Sequence, residues 1–448
     1  MSEKFQVAYV PIGVGTFHLE SAQKEFDKSV ALLQSVEADT VVPKEMLLSI
    51  ELLQEYLATI SPDLIILQNI TFANAAYASE VLKTFDCSIL LWTLREPVID
   101  GGRLRLNSLT GAYSAANAIK AFRKEPLEYI FGAPEEEKVI HKVKATMMAA
   151  KMKYQMKHLK LAAIGHTPQG FGFGRALDLE MLENFGVTLE SLEARELIDI
   201  AKGYSDEEIE EYLIDATNRS VGLENTPEKN RKDFARLYKA YKEYVETHQI
   251  GALASRCWPD FFTAFGTPVC MVLAMLNDLN VAASCEADTY GALSMYLAMQ
   301  LSQMPCFFGD PVSMNEEDNT ITYWHCGTAA CSLARKDTGA QVDVHCNRKI
   351  GPTLDFGCIP CDEVTVFRIG KDSKGKFRFF LAPGEAIDAP KQFLGTSVVV
   401  KTKANAEHII YDSIETGWEP HFVVCYKEVA DELEILAHML DMEVCRYE

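Results

Sequence analysis

Apolar and polar positions along the chain follow two rhythms that trade places near residue 303. Before that point, short apolar runs alternate with longer stretches of helical period. FQVAYVPIG, LIILQNI and CSILLWTL read as buried strands. Apolar residues recur at helical spacing from about Glu20 to Val36 and around Ala75 to Phe85. Continuous apolar strands separated by amphipathic helices predict a parallel sheet with helices on both faces. The pattern restarts at HLKLAAIG, which runs into a glycine-rich loop from Thr167 to Gly174 and then a helix, RALDLEMLENFG.

Two charged helices are predicted between Ser205 and His248. The first is announced by Ser205 with Glu208, a capping-box pair, and the second by Thr226 as N-cap with Pro227 in the first helical position. GALAS, a buried helix from about Pro268 to Leu279, VAASCE and YGALSMYLAMQL continue the β-α-β-α order. After Gln303 strict alternation takes over in TITYWHC, QVDVHC, EVTVFRIG, KFRFFLA and SVVVKTK, with a hairpin turn from Asp372 to Gly375 and a closing helix, KEVADELEILAHML. The expected fold class is α/β: two doubly wound parallel-sheet domains over residues 1–155 and 156–303, then a C-terminal β-rich, barrel-like domain over 304–448.

Composition narrows the function. The 448 residues are 48% hydrophobic and 24% charged, a globular balance, and the net charge of −21 repels polyanions, so nucleic acid is not an expected partner. The most apolar stretch, Val269 to Leu276, is shorter than the roughly 20 residues of a membrane helix. No secretion signal is read at the N-terminus, so the twelve cysteines are expected as reduced thiols in a cytoplasmic protein.

Ligands of a parallel sheet bind beyond the carboxyl ends of its strands, which makes polar residues there informative. VAASC ends at Glu286, with Asp288 two residues on as a candidate substrate-binding group, and Cys306-Phe-Phe-Gly brings Asp310 to the junction with the β-rich part. His325 ends one strand and His421 begins another. Two carboxylates with one or two imidazoles make a mixed oxygen and nitrogen site suited to Mn, Co, Fe or Mg. Taken singly, such carboxylates also serve as helix caps or surface charges, and a histidine beside a tryptophan also packs. Arg256 and Trp258 follow GALAS into the same crevice. Arg256 suits a sugar hydroxyl or an anionic tail and Trp258 the apolar face of a pyranose, with a salt bridge and a packed indole as the alternatives.

Ala254-Ser-Arg256-Cys-Trp258, Gly266 to Asp278, Ala283 to Asp288, Phe308-Gly-Asp310-Pro and Trp324-His-Cys-Gly327 together resemble the L-fucose and L-arabinose isomerase family. The resemblance is densest between about residues 250 and 330. It implies a metal-dependent aldose–ketose isomerase working by proton transfer through a metal-stabilised ene-diol. The divalent metal, usually Mn, would be held by Glu286, by Asp310 24 positions later (310 − 286 = 24), and by His421, with His325 as a fourth ligand or an orienting group. Glu286 and Asp310 would also carry the protons. It further implies a homo-oligomer whose sites lie near subunit interfaces, with Thr16, His18 and Arg95 of the N-terminal domain acting on a neighbour's site. One branch of similar length acts on sulfoquinovose, a glucose with a sulfonate in place of its terminal hydroxyl. The expected substrate is therefore this sulfonated sugar or a neutral one such as L-fucose or D-arabinose.

Three rival readings compete. A nucleotide-binding oxidoreductase needs G-x-G-x-x-G, yet the sixth residue is Arg175 counted from Gly170 and Leu177 counted from Gly172. A non-catalytic sugar-binding or regulatory protein would also use two α/β lobes. A structural zinc site would draw on Cys358 and Cys361 with His345, Cys346, Cys326 or Cys331, but a second C-x-x-C is missing.

Overall fold

The computed structural model describes residues 4–448. They form two compact units. One runs to Gln155 and takes back Asp431–Asp441; the other holds Met156–Ala430 and Met442–Glu448.

The first unit contains β1 (Val7–Ile12), α1 (Leu19–Val36), α2 (Ile50–Leu57), β2 (Leu64–Asn69), α3 (Ala75–Thr84), β3 (Ser88–Thr93), α4 (Ser108–Phe122), β4 (Glu128–Phe131) and α5 (Glu137–Lys157). Its strands pair in parallel in the order β1-β2-β3-β4. Val41 and Leu47 bridge onto the free edge of β1, at Ala8 and Ile12. The winding therefore reverses between β1 and β2, the point at which such sheets open a crevice. The chain's last helix, Ala430–Met439, belongs to this unit, where His438 Nδ1 lies 2.7 Å from Glu128 Oε1 and Lys153 Nζ donates to the Met439 carbonyl at 2.6 Å.

The second unit begins with β5 (Lys160–Ile164), α6 (Asp178–Phe185), β6 (Thr188–Leu192), α7 (Ala194–Gly203), α8 (Glu210–Arg219), α9 (Glu228–His248), β7 (Ala252–Ser255), α10 (Cys270–Asn277), β8 (Ala282–Ser284) and α11 (Thr289–Ser302). Its sheet, β6-β5-β7-β8, is parallel throughout and reverses between β5 and β7. Both charged helices form where expected. The Ser205–Glu208 box closes through Ser205 N to Glu208 Oε2 at 2.8 Å, but it caps a 3-10 turn that leads into α8. Thr226 caps nothing: the N-cap position of α9 is Pro227, without a side-chain cap bond.

The remaining strands are β9 (Phe307–Asn315), β10 (Thr320–His325), β11 (Val342–Asp343), β12 (Thr353–Leu354), β13 (Phe356–Gly357), β14 (Cys361–Lys371), β15 (Phe377–Ala386), β16 (Thr396–Thr402), β17 (Phe422–Cys425) and β18 (Glu443–Arg446), with α12 (Ala406–Glu415) before β17. The ladder β16-β10-β9-β17-β14-β15 returns to β16 through Gly384–Thr402, Glu385–Lys401 and Ala386–Val400, so six strands close a barrel. Closure leaves no free edge among them. QVDVHC, read as a full strand, contributes only β11, because the chain turns back at His345, whose N–H donates to the Ile350 carbonyl at 2.9 Å.

Helix α11 joins the parallel sheet to the barrel. It is apolar on every side, and nearly all of its residues are buried, as befits a helix enclosed all round. Ser294 Oγ accepts the Ile369 N–H of β14 at 2.9 Å, and Gly291 lies against the Phe308 ring of β9. Among the described residues no helix is long and apolar enough to cross a membrane.

The register of β9 against β10 sets Asp310 opposite Trp324. A Cβ on the preceding Gly309 would lie 2.4 Å from the Trp324 carbonyl oxygen, inside the ladder. Gly309→Ala is expected to lower stability by about 1–3 kcal/mol, the usual cost of overpacking, read from urea unfolding.

Candidate active site

Where β8 ends, the backbone makes an unusual turn. Glu286 and Ala287 both take left-handed conformations, with φ of 58° and 55°. For side chains other than glycine this costs about 1–2 kcal/mol per residue. The turn is held by Ala287 N–H to the Ser255 carbonyl at 3.0 Å and Ser284 Oγ–H to the Asp288 carbonyl at 2.7 Å. Asp288 Oδ1 then accepts the Gly291 N–H at 2.9 Å and caps α11.

His421, just before β17, meets three carboxylates. Its Nε2 lies 3.0 Å from Glu286 Oε2 and 3.5 Å from Asp310 Oδ1, and its Nδ1 lies 2.9 Å from Asp288 Oδ2. Behind them sits Arg368, in the middle of β14 and 1% exposed. Its Nη1 donates to Asp288 Oδ2 and to the His421 carbonyl, both at 2.8 Å, and its Nε faces Glu419 Oε2 at 3.5 Å. Burial by itself would raise the Asp288 pKa, but the Arg368 charge and the His421 hydrogen bond hold it well below the usual carboxylate range. An ionised Asp288 can only accept, so it keeps the proton on Nδ1 and turns Nε2 toward Glu286 and Asp310.

The two cleft carboxylates differ. Burial pushes Glu286 up, yet His421 and the neighbouring imidazole charge bring it below its ordinary value. For Asp310 burial wins and its pKa is raised. His421 is raised despite burial because Asp288 and Glu286 accept its protons.

His325, at the end of β10, lies with its ring centre 5.8 Å from that of His421. Ligand atoms of Glu286, His325 and His421 all fall within 4.8 Å of one another. Asp310 joins them through its 3.5 Å approach to His421. The four predicted metal-site residues therefore converge, although they come from the turn after β8, from β9 and β10, and from just before β17. Their oxygen and nitrogen donors suit a Mn-type divalent cation. Asp288, predicted to bind substrate, is 1% exposed and engaged on all sides, which makes it the partner of His421.

The Trp258 indole N–H donates to Glu286 Oε1 at 3.0 Å, so its ring is fixed beside the carboxylates. Arg256 is committed elsewhere: Nε lies 3.0 Å from Asp260 Oδ2 and donates to the Trp258 carbonyl at 3.1 Å. Thr16, His18 and Arg95 lie in the first unit. Thr16 accepts a bond from Arg103 on its carbonyl, His18 caps α1 through Nδ1, and Arg95 pairs with Glu136.

Sequence reasoning missed Arg368, Glu419 and the aromatic roof. Phe171 and Phe173, from the glycine-rich loop after β5, bring their ring centres to 6.3 and 5.5 Å from His421, and Phe171 meets Trp258 edge-on at 6.1 Å. Gly174 lets that loop close down, since a Cβ there would lie 2.7 Å from the Asp288 Cα. The alternating Gly-Phe-Gly-Phe-Gly is the signal in the sequence that marks the two phenylalanines. Among the described residues no ligand cluster includes Cys358 or Cys361; the thiols that group with imidazoles are Cys270, Cys285 and Cys326.

Acids and imidazoles gathered this closely suit reactions that move protons on a small polar molecule. No protein-family model matches the chain. It is 62% identical over 448 residues to the sulfoquinovose isomerase of Clostridium sp. (strain MSTE9), with both chains fully covered. It is 34% identical to that of Priestia megaterium (strain ATCC 12872 / QMB1551), over 98% of this chain and 99% of the relative, and 33% identical to that of Alkalicoccus urumqiensis, over 99% of each. The chain belongs to the sulfoquinovose isomerase family.

Arg368→Met strips a buried anion of its counter-charge. It is expected to cost about 3–5 kcal/mol in urea unfolding, and Asp288→Asn added to it should recover part of the loss.

Proposed function

We propose that the chain interconverts sulfoquinovose and 6-deoxy-6-sulfofructose by proton transfer, with a divalent cation, Mn in the first instance, at Glu286, Asp310, His421 and His325. One observation carries the reading: a single imidazole, oriented from behind by a buried carboxylate, shares its Nε2 with two cleft carboxylates. Full-length identity to sulfoquinovose isomerases supports the substrate. The order of the acids and the late histidine supports the wider kinship with L-fucose and L-arabinose isomerases.

When bound, such a cation supplies Lewis-acid polarisation of the sugar carbonyl, worth several kcal/mol. The chain's own groups do the rest. Going from aldose to ketose, a proton leaves C2 and arrives at C1, and another passes from the C2 oxygen to the C1 oxygen. Glu286 and Asp310 are assigned to these transfers. Glu286 is held by Trp258 on one oxygen and His421 on the other, so its position is set before the sugar arrives. Asp310 approaches His421 Nε2 at 3.5 Å and keeps its carboxylate partly exposed. Asp288 and Arg368 act through His421 and are positioning residues. Trp258, Phe171 and Phe173 give the sugar an apolar wall and keep water from the acids.

The reading includes a cytoplasmic homo-oligomer. Among the described residues no disulfide joins the twelve cysteines, in keeping with a reducing compartment. The first unit exposes Leu109, Tyr113 and Phe122 along α4, surface of the kind that a second copy buries. Thr16, His18 and Arg95 are the residues through which a neighbouring copy would complete the site.

Glu286→Gln and Asp310→Asn are each expected to lower kcat about 10²- to 10⁴-fold with sulfoquinovose, the usual worth of a placed acid or base, while the fold is kept by circular dichroism. Activity near that of the unaltered protein would remove the residue from the chemistry. Chelation should abolish turnover and Mn should restore it, and in deuterated solvent the label should enter C1 of the ketose. A label-free product would point to a hydride shift.

A further inference from the structure

Two arginines flank Trp258, and only one of them has a carboxylate partner. Arg256 has its charge balanced by Asp260, with its Nε on Asp260 Oδ2 and the Trp258 carbonyl. Arg348, in the loop between β11 and β12, has its guanidinium carbon 5.3 Å above the Trp258 ring and 5.8 Å from the Phe262 ring, and among the described residues it forms no ion pair. Its backbone is anchored although its side chain is not. The Asn347 and Arg348 N–H groups point to His345 Nδ1 at 3.2 and 3.3 Å, the Lys349 N–H donates to the His345 carbonyl at 2.8 Å, and the His345 ring is buried.

Resting on the sulfonated-sugar reading, we propose that Arg348 is the anion anchor of the substrate subsite, taking the sulfonate at the end of the sugar remote from the reacting carbons. Trp258 links the two ends: its indole N–H reaches Glu286, and its face carries Arg348. The cleft needs such a cation. Glu286, Asp288, Asp310 and Glu419 crowd the reacting end, in a chain of net charge −21, and Arg368 is consumed in holding Asp288. A permanently ionised sulfonate is repelled by that field unless a positive group waits at the rim. A guanidinium resting on an indole is pre-oriented, keeps its N–H edge outward, and offers two parallel donors to two sulfonate oxygens. The sequence pointed to Arg256 for this role because it follows a strand; the pairing with Asp260 transfers the role to Arg348.

The test compares Arg348→Gln, Arg348→Lys and the neighbouring control Lys349→Gln in the full-length, Mn-loaded protein. Arg348→Gln is expected to raise KM for sulfoquinovose about 10- to 100-fold, as loss of a charge-assisted hydrogen bond does, with a smaller effect on kcat. Added guanidinium ion should lower that KM. Arg348→Lys should recover part of it, and Lys349→Gln should stay within about twofold of the unaltered protein. A KM for Arg348→Gln within about twofold, or an equal loss in Lys349→Gln, overturns the anchor. Calorimetric binding of the sulfonated hexitol, which has no carbonyl to react, separates this proposal from the isomerase reading. If the unaltered protein fails to turn over sulfoquinovose, that reading falls. The anchor then stands if the preference for sulfonated over neutral hexitol shrinks in Arg348→Gln, and falls if the preference is unmoved.

Discussion

A buried charge needs a partner, and in this protein that requirement organises the site. Asp288 and Arg368 are each 1% exposed, and they meet with His421 in one chain of contacts. Removing any member leaves charge in a medium that cannot solvate it. The contacts also tie elements far apart in sequence. Asp288 begins α11 of the parallel sheet, Arg368 lies in β14, and His421 introduces β17, so the barrel cannot shift against the sheet without breaking the pair. The docking of these layers and the aim of one imidazole are the same event.

Chemistry follows from that aim. With Nδ1 engaged by Asp288, the Nε2 of His421 faces the cleft, where Glu286 arrives on a backbone turn with two successive left-handed residues and Asp310 on a barrel strand. Strain of this sort persists where surrounding structure over-determines it, and here the Ser255 carbonyl and the α11 cap do so. The aromatic rings of the glycine-rich loop cover the group, which strengthens every electrostatic contact beneath them. Such a crowd of acids suits a cation and repels an anion, so the Arg348–Trp258 stack at the rim complements it.

Much of this was legible in the chain. The parallel sheets show as apolar runs, because strands covered on both faces have no polar side. The barrel shows as alternation. Glu286, Asp310, His325 and His421 stand out because strand ends are where ligands are met. Arg368 is invisible by the same logic: an arginine in the alternating strand EVTVFRIG looks like one outward-facing charge among many, and only closure of the barrel turns it inward. Arg256 reads as the anion-binding group and Arg348 is not singled out, since the stacking of Arg348 on Trp258 joins residues ninety positions apart (348 − 258 = 90).

Sequence alone determined the elements, their layering and the residue types available at each strand end, since these depend on periodicity and on groups a few positions apart. Tertiary structure alone decided which charges are spent on one another and which remain for a ligand. Pairing depends on distances between side chains that the fold brings together, as with Arg368 and Asp288 eighty positions apart, and a change of a few ångströms separates a buried salt bridge from a free guanidinium.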